Sequence, residues 1–390
     1  MSLVLGIAAE SGSGERRVAM VPSAVSVLRK AGVQFVVESG AGERAGFPDA
    51  GYAEQGARLT GRGEVFGTAD VLLQVRCPGA NPDKGAADLH LLRRGQTTIG
   101  FAEALTAIET VRTMAERGVN CLAMELMPRI TRAQNMDALS SMATVAGYKA
   151  ALMAADTLPR MFPMLMTAAG TVTPARVLVI GAGVAGLQAI ATARRLGAVV
   201  SGYDIRPAVK EQVESLGARF VVLELENAGA EDQGGYAKDM GRDFYRRQQE
   251  LLADVLAQQN AVIATAAVPG KKAPVLITRE MVSRMAPGSV IVDIAAERGG
   301  NCELTRPGET VEAGGVRILG PLNLPSAIPY HASQLYARNL AAFVGCLLQD
   351  GQLRLDREDE IVRETLVTFA GEVVHPRVRE LLSSSLAHAV

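Results

Sequence analysis

Val177-Leu-Val-Ile-Gly181-Ala-Gly183-Val184-Ala185-Gly186-Leu-Gln-Ala is the segment of this chain with the clearest chemistry. An apolar run ends in glycines spaced as GxGxxG, and a helical pattern follows to Leu196, with Gly197 as its stop. Each glycine answers a separate need. Gly181 permits a tight turn, Gly183 lets backbone approach a pyrophosphate, and Gly186 allows a helix to pack closely on a strand. The first helical amides, around Val184 and Ala185, then face the negative charge. The next apolar run ends at Asp204, 23 residues after Gly181. A carboxylate there accepts hydrogen bonds from ribose hydroxyls and repels a 2′-phosphate. NAD(H) is therefore favoured over NADP(H), with the reservation that Arg206, just beyond Ile205, could tolerate a phosphate. A glycine turn of purely structural use is the competing reading, and it does not explain why strand, helix and acid fall in register.

A second cluster lies earlier. Arg129, Arg132, Gln134, Asp137 and Ser140 crowd into twelve residues. A nicotinamide carboxamide presents both a donor and an acceptor, which Gln with Asp or Ser satisfies together. An arginine can reach a pyrophosphate or a second anion. The plainer alternative is that Asp137 caps the next helix and the arginines lie on the surface. Gly229 to Gly241 holds four glycines and no apolar period. It reads as a mobile loop, either a lid with Tyr236 as its contact or a disordered insert.

The four histidines are His90, His331, His375 and His388, and no HExxH or GxSxG pattern occurs. No metal site is expected. Hydride transfer between two nicotinamide rings moves no proton at the reacting carbons, so it needs positioning above all. Reduction of a carbonyl would need a proton donor.

Two α/β domains with doubly wound parallel sheets would position these groups. Short apolar runs separated by helical ones argue for parallel strands covered on both faces. In the first domain the expected strands are Leu3–Ala9, Val33–Val37, Ala69–Val75, Thr97–Phe101 and Val119–Leu126, with a helix over Pro22–Ala31. In the second they are Arg176–Ile180, Val199–Tyr203, Phe220–Leu223, Ala261–Thr265, Ser289–Ile294 and Val316–Leu319. The domain bounds read as 1–135 plus 330–390 for the first, and 136–329 for a Rossmann dinucleotide-binding domain. A helix about Ser333–Leu348 carries the chain back to the first domain. Met136, Leu139, Met142, Val145, Tyr148 and Leu152 recur at helical spacing. Nine of the 14 methionines lie between Met114 and Met166, which reads as flexible core filling or as an interface. The run Asp356–Glu360 reads as solvated surface.

Composition narrows the function classes. The 390 residues exceed one ordinary core. With 40 basic and 41 acidic side chains the net charge is −1, which gives no electrostatic reason to bind nucleic acid. Trp is absent, so a base-stacking platform is not expected. Cys77, Cys121, Cys302 and Cys346 form no CxxC pair and read as reduced thiols of a cytoplasmic protein. The most apolar stretch is the glycine-interrupted fingerprint itself, so no direct membrane insertion is expected.

Several segments together resemble a known family. They are Ala123-Met-Glu-Leu-Met-Pro-Arg-Ile130-Thr131-Arg-Ala-Gln-Asn-Met-Asp137, Met166-Thr-Ala-Ala-Gly-Thr-Val, Gly181–Gly186, Gly234-Gly-Tyr-Ala-Lys, Pro269-Gly-Lys, Val292-Asp-Ile-Ala and Gly299-Gly-Asn-Cys302. They resemble the NAD(H)-binding alpha subunits of proton-translocating NAD(P) transhydrogenases. The resemblance implies that Arg129, Gln134, Asp137 and Ser140 carry the hydride-transfer geometry. It implies cofactor contacts at Arg129, Ile130, Thr131, Arg132, Gln134, Gly181, Gly183, Val184, Ala185, Gly186, Asp204, Ile205, Arg206, Gly235, Tyr236, Gln248, Thr265 and Ala266. It also implies a homodimer, docked on NADP(H)-binding and membrane-spanning subunits and so held at the inner membrane, with hydride transfer from NADH to NADP+ coupled to proton translocation.

Alanine dehydrogenase has a similar architecture, and Glu15-Arg-Arg17-Val-Ala-Met-Val-Pro22 resembles the start of both groups. That enzyme is expected to place a histidine after its fourth strand. Here the matching stretch reads Ile99-Gly-Phe101-Ala, and Phe101 transfers no proton. An alanine dehydrogenase-like activity is the alternative reading.

Overall fold

The computed structural model describes residues 2–223, 242–267 and 272–387. The chain divides into two compact units, one of Met1–Met142 with Pro325–Val390 and one of Ala143–Leu324.

In the first unit six parallel strands lie side by side in the sheet. Their order across it is Asn120–Ala123, Thr97–Phe101, Val71–Arg76, Val4–Ile7, Gln34–Glu38 and Arg58–Thr60. The chain winds outward from Val4–Ile7 in one direction and then, from Val71–Arg76, in the other. Two antiparallel strands, Leu366–Phe369 and Glu372–Val373, extend the Asn120–Ala123 edge. Their turn takes positive φ at Ala370 (51°) and Gly371 (96°), the two-residue geometry that matches strand twist. The helix Pro329–Leu347 belongs to this unit and buries Tyr336, Leu340, Phe343 and Val344.

The second unit repeats the plan. Its parallel strands run Arg219–Phe220, Val199–Tyr203, Arg176–Ile180, Ala261–Ala264, Val290–Asp293 and Val316–Leu319, with Thr310–Ala313 added antiparallel at the edge. Both faces are covered, as the near-continuous apolar strands require. Val177 and Val179 enter one core with Ala189 and Ile190, while Leu178 and Ile180 enter the other with Leu252 and Leu256.

The fold class follows the sequence expectation, with differences at particular elements. The third strand of the second unit is Arg219–Phe220 rather than Phe220–Leu223. The helix expected from the Met136-to-Leu152 spacing runs Ala138–Thr157, but Leu139 and Tyr148 on the expected stripe are exposed. Its buried positions include Met142, Val145, Ala150, Ala151 and Ala154. The run Asp356–Glu360 is not wholly a solvated surface: the Asp359 side chain is only 24% exposed and is paired. Cys77, Cys121 and Cys302 are buried free thiols and Cys346 is an exposed one. Among the described residues no helix is long and apolar enough to cross a membrane.

Candidate functional site

The glycine turn joins the strand Arg176–Ile180 to the helix Val184–Arg195. Its three glycines separate by what a Cβ would meet. At Gly181 (φ 92°) a Cβ would lie 2.7 Å from Thr265 Oγ1. At Gly186 it would lie 1.8 Å from the Gly181 carbonyl oxygen. At Gly183 the nearest atom among the described residues is Arg206 Nη2, 4.0 Å away. Two glycines are thus demanded by the fold itself. The third leaves open backbone at the start of a helix, the space that a phosphate group would use. A fourth glycine supports the turn from behind: a Cβ on Gly147 would lie 2.0 Å from the Ala185 carbonyl oxygen, so the helix Ala138–Thr157 can touch the first turn of the fingerprint helix.

Neighbouring strands fix this turn. The Gly181 amide donates to the Tyr203 carbonyl at 2.8 Å, and Thr265 Oγ1 donates to the Gly181 carbonyl at 2.9 Å. Asn301, fully buried, holds the next residue by both of its backbone groups. Its Oδ1 accepts from the Ala266 amide at 2.9 Å, and its Nδ2 donates to the Ala266 and Pro274 carbonyls at 2.8 and 2.9 Å. Asp293 in turn accepts from the amides of Asn301 and Cys302 and from Thr305 Oγ1, at 2.7, 2.9 and 2.6 Å. Burial pushes the Asp293 carboxyl up. In the sequence both residues stand out only as members of motifs, because their partners lie far along the chain.

Asp204 is buried at the end of Val199–Tyr203. One carboxylate oxygen accepts from the Ala182 amide at 2.7 Å and from Arg206 Nη2 at 2.8 Å. The other accepts from the Arg206 amide and Arg206 Nε, both at 2.9 Å. Tyr203, whose hydroxyl pKa burial pushes up to about 12, accepts from Gln248 Nε2 at 2.7 Å. The Gln248 Oε1 is buried and has no partner among the described residues. Gly183's open backbone and this unmatched acceptor fit a polar ligand at the strand ends. Val184 is exposed, whereas Ala185, Ile205, Thr265 and Ala266 are half-buried. Gly235 and Tyr236, the Gly229–Gly241 loop and the Pro269-Gly-Lys turn lie outside the described residues.

The second cluster belongs to the first unit. Thr131–Met136 is a short tight helix anchored by buried Ala133 and Met136. Asp137 does cap the following helix: its oxygens accept from the Ser140 amide at 2.9 Å and from Ser140 Oγ at 2.6 Å. Arg129, Thr131, Arg132 and Gln134 are exposed and Ile130 is half-buried. Two residues that sequence reasoning missed hold the segment. Asn339 Nδ2 donates to the Asn135 carbonyl at 2.9 Å. Asp359 takes both prongs of the Arg132 fork, at 2.7 and 2.9 Å. These hydrogen bonds hold the Asp359 carboxyl below its ordinary range.

A buried ionic cluster occupies the same unit, where the chain's winding reverses at the ends of Val4–Ile7 and Val71–Arg76. Glu15 accepts from Arg17 Nε and Nη2 at 2.8 and 2.6 Å, and from Arg76 Nε at 3.0 Å. Burial alone would push its carboxyl up, but Arg17 outweighs burial and holds it far below the usual range. Glu10 accepts from the amides of Val75 and Arg76 at 2.5 and 3.1 Å. Phe101 packs tilted on Tyr336, with ring centroids 5.4 Å apart. Such reversal points are where doubly wound sheets take ligands. Here the Arg17 fork is turned onto a carboxylate of its own chain.

Comparison with known proteins adds the following. Residues 6–146 match the family model described as Alanine dehydrogenase/PNT, N-terminal domain, and residues 150–376 match that of the C-terminal domain. The chain is 46% identical over 376 residues to the first section of the NAD(P) transhydrogenase alpha subunit of Rhodospirillum rubrum, covering 95% of this chain and 98% of that one. A crystal structure of transhydrogenase from Sinorhizobium meliloti superposes with a TM-score of 0.85 at 47% identity, over 95% of this chain and all (100%) of that one. Alanine dehydrogenase of Mycobacterium tuberculosis is 29% identical over 383 residues, covering 96% of this chain and 95% of that one.

Proposed function

The chain belongs to the alanine dehydrogenase/PNT family, and on that premise we propose that it is the NAD(H)-binding alpha subunit of an NAD(P) transhydrogenase. In this reading it passes hydride from NADH to NADP+ held by a partner subunit. It works as a homodimer, on the cytoplasmic side of the inner membrane, docked on NADP(H)-binding and membrane-spanning subunits that couple the transfer to proton movement.

Gly181, Gly183 and Gly186, with the amides of Val184 and Ala185, would hold the phosphates. Asp204, Ile205 and Arg206 would meet the adenosine ribose, and Gln248, Thr265 and Ala266 would border the nucleotide. Gly235 and Tyr236 join the cofactor contacts in this reading. Arg129, Ile130, Thr131, Arg132, Gln134, Asp137 and Ser140 are assigned to the nicotinamide side. NADH, when bound, supplies the hydride. The protein's share is to bind and orient, and no side chain need move a proton at the reacting carbons.

The observation that carries the choice over alanine dehydrogenase is Phe101. Carbonyl reduction requires a proton donor, and the position that resemblance assigns to one holds an apolar ring packed on Tyr336. The self-paired Arg17 favours the same choice, because a substrate carboxylate would have to displace Glu15 from it. The test is titration of the isolated chain with NADH and NADPH, followed by addition of the NADP-binding component. The expected result is tight NADH binding and no reduction of NADP+ until that component is present. Turnover of pyruvate and ammonia by the chain alone would overturn the proposal.

A further inference from the structure

Asp204 and Arg206 form a closed pair at the edge of the glycine turn. An ionised carboxylate offers about four acceptor sites. In Asp204 four donors fill them: the Ala182 amide, the Arg206 amide, Arg206 Nε and Arg206 Nη2. The two amides are fixed by the backbone of the turn and of the strand end. A ribose diol approaching Asp204 therefore displaces the guanidinium, the one donor group on a flexible stem. Among the described residues the same guanidinium is the nearest group to the open position at Gly183, and the side chains of Arg206 and Asp204 are only 12% and 5% exposed.

We propose that Arg206 is a latent receptor for a nucleotide 2′-phosphate, kept out of use by Asp204, so that cofactor choice resides in the pair and not in the acid alone. The inference rests on the dinucleotide reading of this turn and deepens it. A planar fork matches a phosphate two-pronged, and Arg206 already lies where the adenosine ribose is expected. Two things prevent that use. The fork is spent on Asp204, and the charge of Asp204 repels a phosphate arriving beside it.

The test measures equilibrium binding of NADH, 5′-AMP, NADPH and adenosine 2′,5′-bisphosphate to four forms of the full chain: wild type, Asp204→Asn, Arg206→Ala and the double variant. The 2′-phosphorylated probes should bind Asp204→Asn roughly tenfold to a hundredfold more tightly than wild type, the range expected for freeing one charge-assisted donor pair. The double variant should lose that gain. A gain that persists without Arg206 would mean that only repulsion had been relieved, and would overturn the proposal. So would an Asp204→Asn chain that still binds NADH but gains nothing for the 2′-phosphate. If thermal melting shows that Asp204→Asn does not fold, Asp204→Ser, which retains an acceptor for the Ala182 amide, serves as the second background under the same criteria. A wild type that binds neither NADH nor 5′-AMP overturns the dinucleotide reading and this inference with it. Failure in the variants alone overturns only the inference.

Discussion

Arg132 and Asp359 meet through two parallel hydrogen bonds of 2.7 and 2.9 Å, although 227 residues separate them in sequence. Asp359 also accepts from the Ile361 amide at 2.8 Å, which starts the helix Glu360–Thr365. One carboxylate thus ties the segment bearing Gln134 and Asp137 to a helix near the far end of the chain. Asp359→Ala should raise amide hydrogen exchange across residues 131–137 and lower stability by about 1 kcal/mol, nearly all of it from the lost cap of Glu360–Thr365, since the pair with the half-exposed Arg132 adds little. Unchanged exchange would show that buried Ala133 and Met136 hold the segment without the pair.

The glycines of the turn should respond differently to the same substitution. Gly186→Ala places a methyl 1.8 Å from a carbonyl oxygen, so the helix must shift and the melting temperature should fall by several degrees or more. Gly183→Ala meets no atom of the described residues closer than 4.0 Å and should melt like the wild type. Its NADH affinity should nonetheless drop about tenfold or more, because the methyl occupies the approach to the phosphates. Parallel losses of stability and affinity in both variants would remove the distinction.

Asn301 should matter for stability and binding alike. Asn301→Ala leaves the Ala266 amide and two carbonyls, those of Ala266 and Pro274, without their partner. The expected loss is about 3 kcal/mol in denaturant unfolding, with weakened NADH binding because Thr265 and Ala266 lose their anchor. Asn301→Asp keeps the acceptor but turns a carboxylate toward the two carbonyls, and should be no better. A stable Asn301→Ala with native affinity would contradict this account.

The buried acid of the first unit predicts a pH trend. Burial raises the Glu10 pKa from its ordinary 4.5 to about 8. Across that window the folded chain keeps a proton that the unfolded chain has released. Stability should therefore fall as pH rises from about 5 to about 8, by a few kcal/mol at roughly 1.4 kcal/mol per pKa unit, and level off above. Glu10→Gln should flatten this slope. Stability curves for wild type and variant that stay parallel through the window would rule Glu10 out as its source.

The central parallel strands were legible because they are buried on both faces and stand as apolar runs, as in Val71–Arg76 and Arg176–Ile180, whereas the parallel edge strand Arg58–Thr60, exposed or half-buried throughout, carries no such run and was missed. The short antiparallel additions were not legible either, even where their turns carry a signal. Asp350-Gly351 and Ala370-Gly371 take positive φ between paired strands, but the strands Leu348–Gln349, Gln352–Leu353 and Glu372–Val373 are too short for a two-residue period to show. At the candidate site, glycine spacing exposed the turn and Asp204, since those are local. The engagement of Asp204 by Arg206, the hold of Asn301 on Ala266 and the Glu15 cluster were invisible. The polar run Glu10–Arg17 gives no local sign of burial, because its partner Arg76 lies 61 residues beyond Glu15.

The hairpin Leu366–Val373 that borders Asn120–Ala123 also sets a timetable for the nascent chain. Residues 1–142 leave the ribosome first, yet the edge of their sheet stays bare until residue 373 has been made. At about 5–20 residues per second that wait lasts roughly 10 to 50 seconds, during which the whole of the second unit is synthesised. An open parallel edge is an invitation to mispairing. The newborn first half is therefore the stage at which this protein should most depend on chaperones.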